Sequence, residues 1–64
     1  SMCMITVYKG SIKDENKMAE NVEKYSLDLG SGKLILYPML NDPQEFEITK
    51  GISWDESSDT MIFE

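Results

Sequence analysis

Chemistry in a chain of 64 residues has to come from a short inventory, and here that inventory is carboxylates, serines and one thiol, with no histidine. Asp55-x-Ser57-x-Asp59 has the oxygen-ligand spacing with which a calcium loop begins. The sixth position of such a loop needs a glycine for its sharp turn and is Thr60 here, and the sequence stops before a twelfth-position glutamate. An EF-hand is therefore excluded, and the segment reads as a polar hairpin tip. Glu45 and Glu47 lie two apart, which in a strand sets them side by side on one face. Paired carboxylates do acid–base work only in a pocket that shifts one of their pKa values, and so short a chain leaves little volume for one. The serines have no histidine base. Cys3 is the single cysteine and has no adjacent cation to activate it. Gly30-Ser31-Gly32-Lys33 lacks the spacing and the following helix of a phosphate loop and reads as a hairpin turn. The expectation is a non-enzymatic protein with no catalytic, metal or cofactor site.

Charge says more. Twelve acids oppose six lysines, giving a net charge of −6, and there is no arginine. Without guanidinium forks and with that net charge, direct binding of nucleic acid or of an anionic membrane is disfavoured. Through Asn41 acids and lysines balance, five against five, whereas Asp42 to Glu64 holds seven acids against Lys50 alone. An acidic final third is an argument about partners: it suits another protein with a basic surface. Trp54 stands at its centre. As a core residue it would pack on Met61 and Phe63; as an interface anchor it would carry Asp55, Glu56 and Asp59 as a charged rim. The candidate partner-binding residues are thus Trp54, Asp55, Glu56 and Asp59, with Glu45 and Glu47.

The elements that must hold these residues follow from the apolar pattern. Met4 to Lys9 alternates, Ile5 and Val7 against Thr6 and Tyr8, as a half-buried strand does. Met18, Val22 and Tyr25 are spaced i, i+4, i+7, with Ser11 or Asp14 as caps and Lys24 near the end, which predicts a short helix around residues 14–24. A polar loop from Asp14 to Asn21 is the alternative. Tyr25, Leu27 and Leu29 alternate with Ser26 and Asp28; Gly30-Ser31-Gly32 turns the chain into Lys33–Met39, predicting a hairpin. Asn41-Asp42-Pro43 is a turn, after which Phe46 and Ile48 face away from Glu45, Glu47 and Thr49. Ile52 and Trp54 face one way, and Met61 and Phe63 can pair with them across a second hairpin whose loop is Asp55 to Asp59. The fold class expected is mainly β (α+β): one small antiparallel sheet of about five strands, two hairpins and one short helix.

Leu34, Ile35, Leu36 and Tyr37 break the alternation, and a continuous apolar run asks for cover on both faces. A single small layer supplies one cover, so a curled sheet or a second copy must supply the other, and these four residues are the candidate self-association surface of a homodimer. Pro38 cannot donate to a ladder, so the strand should meet an edge or a bulge there.

Residues 1–64 read as one small acidic domain, in which oligomerisation compensates for a thin core. Ser1 before Met2 reads as a remnant of tag removal. No apolar stretch could span a bilayer, and with no leader and a lone cysteine a cytoplasmic setting is expected. In size and charge the chain resembles the small inhibitors that bacteriophages encode against host defence systems, some of which imitate DNA; the resemblance is one of class, carried by no residue motif. It implies stoichiometric binding through an acidic face. The alternative expectation is a structural or assembly protein whose function is self-association.

Overall fold

The computed structural model describes residues 4–64. Cys3, Ser1 and Met2, and the expectations attached to them, lie outside the described residues. The chain forms six strands: β1 (Ile5–Lys9), β2 (Lys17–Asp28), β3 (Lys33–Pro38), β4 (Gln44–Glu47), β5 (Ile52–Asp55) and β6 (Thr60–Phe63). They make one sheet in the order β4-β3-β2-β1-β6-β5. The expectation of an antiparallel sheet of about five strands is corrected to a mixed sheet of six. β1 and β6 run parallel, Val7 beside Met61 and Lys9 beside Phe63, and every other pair is antiparallel.

The helix expected around residues 14–24 is absent. Asp14–Asn16 is a single 3-10 turn, and Lys17 onward belongs to the twelve-residue β2. The helical spacing has a different cause. Of the three residues with that spacing, Val22 and Tyr25 pair with Ile5 and Leu36 on the inner face of β2, and Met18, like Ala19 and Leu27, packs half-buried against the same core. Between Ala19 and Val22, and again between Val22 and Lys24, β2 spends an extra residue against its partner. Asn21, at φ 54, sits in the first of these bulges; asparagine is among the few residues that tolerate the left-handed region. A bulge turns the strand period of two into a local three, which imitates one face of a helix.

Bulges also bend a strand and increase its twist, and here they curl the sheet upon itself. Strands β4 and β6 are four inter-strand spacings apart in the sheet order, about 19 Å if the sheet were flat. Yet the rings of Phe46 and Phe63 have centroids 5.1 Å apart. The curl encloses Val7, Val22, Leu34, Leu36, Met61 and Phe63, all at most 1% exposed, with Ile5, Leu27, Phe46, Ile48 and Ile52 packed around them. Each such aliphatic or aromatic side chain contributes on the order of 1.5–3 kcal/mol on leaving water. The curl covers one face of the Leu34–Tyr37 run and leaves the other without a layer: Leu34 and Leu36 are fully buried inside it, while Ile35 and Tyr37 are half-buried on the outer face.

Both expected hairpins are present. In β2–β3, Asp28 pairs with Lys33, so Leu29 leaves the strand and sits 72% exposed in the turn. The Asp28 carboxylate accepts the N–H groups of Gly30 (3.0 Å) and Ser31 (3.2 Å). Pro38 ends β3 opposite Val22, where β2 bulges. The segment after β4 is held by backbone bonds without closing the sheet: Ile48 N–H donates to the Gly32 carbonyl (2.7 Å), and the N–H groups of Thr49, Lys50 and Gly51 all point at the backbone oxygen of Glu64. Among the described residues no helix is long and apolar enough to cross a membrane.

Candidate interaction site

The β5–β6 hairpin carries four of the six expected partner-binding residues. Trp54 pairs with Met61 across the ladder and shares its inward face, but at the rim of the curl. Met61 is fully buried, whereas Trp54 keeps 42% of its surface exposed. Its neighbour is Tyr25 of β2, also 42% exposed, with ring centroids 5.7 Å apart and planes inclined at 51°. A flat sheet would hold these two strands about 14 Å apart, so the aromatic pair exists only because β2 bends. A tilted pair at this distance is a favourable arrangement of two ring quadrupoles. Together the rings form an exposed aromatic shelf at the mouth of the sheet. Tyr25 was not legible as a site residue: its sequence signal is that of any inward strand position, and nothing local says which strand it will meet.

The acidic turn beside the shelf is tightly built. Asp55 caps the 3-10 turn Glu56–Ser58, accepting at Oδ1 from the Ser57 N–H (3.2 Å) and the Ser57 hydroxyl (2.7 Å). The Ser57 hydroxyl bond, with further help from Ser58, holds the Asp55 carboxyl below its ordinary range. The Thr60 side chain, 4% exposed, donates to the Ser58 carbonyl (3.1 Å) and accepts from the Ser58 hydroxyl (3.0 Å). Asp59 takes the left-handed conformation, φ 50 and ψ 51, and its carbonyl accepts the Thr6 N–H at 3.2 Å, tying the turn to β1. Glu56 and Asp59 are both exposed.

Glu45 and Glu47 lie elsewhere, on the outer face of β4, which forms the other end of the sheet order. Lys33 stands opposite Glu47 and reaches Glu45 at 3.5 Å, so one cation faces both acids. The Asp55–Asp59 turn has no such lysine: the ion pairs of the described residues are Lys17–Glu20, Lys33–Glu45 and Lys50–Glu64. Lys24 is spent over the Tyr37 ring, 4.7 Å from its centroid on the outer face. Among the described residues no three His, Cys, Asp or Glu side chains come together as metal ligands would. No family model matches the chain, and neither the curated proteins nor the solved structures contain a match.

Proposed function

We propose that the protein acts by stoichiometric binding to a basic surface of another protein and not by catalysis, with the Trp54–Tyr25 shelf as anchor and Asp55, Glu56 and Asp59 as an acidic rim. The observation that carries this reading is Trp54. It is inward-facing, yet 42% exposed against a second exposed ring and next to carboxylates without a lysine partner. An exposed tryptophan beside uncompensated charge is the composition of an interface centre and its steering rim. A cytoplasmic inhibitor that occupies a nucleic-acid groove with these carboxylates, in the manner of phage anti-defence proteins, is the specific form of this reading.

The test is affinity capture with the wild-type protein, Trp54→Ala and the triple variant D55N/E56Q/D59N. The reading expects one dominant captured protein, lost in Trp54→Ala, since an anchor of this kind contributes about 2 kcal/mol or more. The triple variant should capture it more weakly and with a flatter salt dependence. Capture that is unchanged in both variants refutes the reading. Self-association through a homodimer is the second reading, supported by the half-buried Ile35 and Tyr37 on the outer face. Light scattering coupled to size exclusion at low and high salt separates the two. A salt-resistant dimer abolished by Ile35→Lys supports self-association, and a monomer at all concentrations removes it.

A further inference from the structure

The mutual hydrogen bonds between Gly51 and Glu64 set the parity of the β5–β6 ladder. Gly51 N–H donates to Glu64 at 3.2 Å and Glu64 N–H to Gly51 at 3.0 Å, so this is a bonded pair. In an antiparallel ladder bonded and non-bonded pairs alternate. Ser53–Ile62 and Asp55–Thr60 are therefore bonded, while Ile52–Phe63 and Trp54–Met61 are not. The other side of β6 agrees, since the Phe63 carbonyl accepts the Gly10 N–H (2.8 Å) and turns away from β5. The backbone N–H and C=O groups of Ile52 and Trp54 consequently face the free edge, beyond which the sheet has no strand.

The two ends of the sheet are not equally guarded. β4 carries Glu45 and Glu47, charges of the kind that blunt an edge. β5 is Ile-Ser-Trp-Asp, charged only at its last residue. We infer that β5 is a docking edge: an extended segment of the basic partner adds to it as an antiparallel strand, with apolar residues opposite Ile52 and Trp54 and lysine or arginine opposite Ser53 and Asp55. The inference rests on the proposed function and supplies its geometry. Residues opposite Ile52 and Trp54 exchange both hydrogen bonds with them and lie on the inward side, against the aromatic shelf. Residues opposite Ser53 and Asp55 point outward, beside the acidic turn. Charge selects the occupant. A second copy of β5 would bring another Asp55 and Glu56 to this edge, within a molecule of net charge −6, whereas a basic strand meets complementary charge.

The probe is the peptide acetyl-Thr-Lys-Val-Lys-Val-Lys-Thr-amide, compared with the same peptide N-methylated at both valines, which keeps every charge and side chain but removes the two donors. Titrations followed by amide NMR are expected to show the Ile52 and Trp54 N–H signals shifting and exchanging more slowly with the parent peptide. The N-methylated peptide should bind about ten-fold more weakly, as two lost hydrogen bonds dictate. Equal binding of the two peptides, with both weakened in D55N/E56Q/D59N, leaves the acidic rim standing and overturns strand addition. No binding of the parent peptide, or binding that leaves the Ile52 and Trp54 amides unchanged, also overturns it. Protection of those two amides that rises with protein concentration in the absence of peptide assigns the edge to a second copy and overturns the basic partner.

Discussion

The curl of the sheet is what creates both the core and the aromatic shelf, and it can be tested through Phe46 and Phe63. On a flat sheet their strands would stand about 19 Å apart, far too distant to couple, and on the curled sheet the ring centroids are 5.1 Å apart. Alanine is the wrong probe. Truncating a buried phenylalanine costs about 3–5 kcal/mol, while a domain of this length holds on the order of 3–10 kcal/mol in total, so the variant could simply unfold. Leucine keeps most of the volume, and each of Phe46→Leu and Phe63→Leu should cost about 1–2 kcal/mol. The double variant should then cost less than the two singles together, because the first substitution has already removed the ring–ring interaction. That interaction is worth about 0.5–1.5 kcal/mol beyond area. The assay is equilibrium unfolding in urea, followed by the fluorescence of Trp54, the single tryptophan. Equal slopes across the four proteins must accompany it, as evidence that the unfolded reference is shared. Independent sites add to within about 0.3–0.5 kcal/mol. A coupling below about 0.3 kcal/mol would mean that β4 and β6 do not meet, and the aromatic shelf would go with the curl.

Two further predictions concern the turns. Gly10 and Gly32 both have positive φ, +87 and +68, but a methyl group at Gly10 meets nothing within 4 Å, whereas at Gly32 it would stand 3.0 Å from the Ile48 carbonyl. Gly10→Ala should therefore cost only the backbone strain of about 1–2 kcal/mol, and Gly32→Ala distinctly more, because its own carbonyl also accepts the Ile48 N–H; equal losses in urea unfolding would contradict this account. The Asp55 carboxyl, held below its ordinary 3.8 chiefly by the Ser57 hydroxyl, should titrate below that value by carboxyl NMR and move back up in Ser57→Ala. Because the folded pKa is the lower one, the stabilisation it brings is complete above the unfolded value and fades as pH falls from there through the folded pKa. A midpoint unmoved by Ser57→Ala would show that the hydroxyl is not the cause.

What was legible in the sequence was whatever a period of two or a turn signature writes locally. Ile5 and Val7 mark β1; Gly30-Ser31-Gly32 between two apolar runs marks the first hairpin; Ile52 and Trp54, with Met61 and Phe63 across the acidic turn, mark the second. The failures share one origin in β2. Its core-packed positions 18, 22 and 25 are spaced as a helix spaces them because bulges insert residues, and bulges have no propensity signature of their own beyond residues such as Asn21 that accept positive φ. The parallel pairing of β1 with β6 joins the two ends of the chain and is a matter of tertiary closure. The candidate site was half legible. Trp54, Asp55, Glu56 and Asp59 are contiguous and arrive together, whereas Tyr25 comes from a strand three places away in the sheet, and Glu45 and Glu47 fall on the other end strand, facing Lys33.

The acidic third and the apolar strand run looked, in the sequence, like two independent invitations to associate, one for a basic partner and one for a second copy. The fold turns them into competitors. Curling buries Leu34 and Leu36 completely, which removes half of the apolar run from any interface. It also leaves the sheet unclosed, because the segment after β4 turns its N–H groups onto Glu64 and runs on to β5 without a ladder between β4 and β5. An open sheet must guard its edges or use them. On β4 the guard is Glu45 and Glu47. On β5 the carboxylates stand at the end of the strand and in the turn beyond it, where they repel another copy of themselves and leave the hydrogen-bonding edge of Ile52 and Trp54 accessible. Charge placed there opposes homotypic pairing and favours a basic strand at once, so neutralising Asp55, Glu56 and Asp59 should weaken partner capture and strengthen self-association in the same variant.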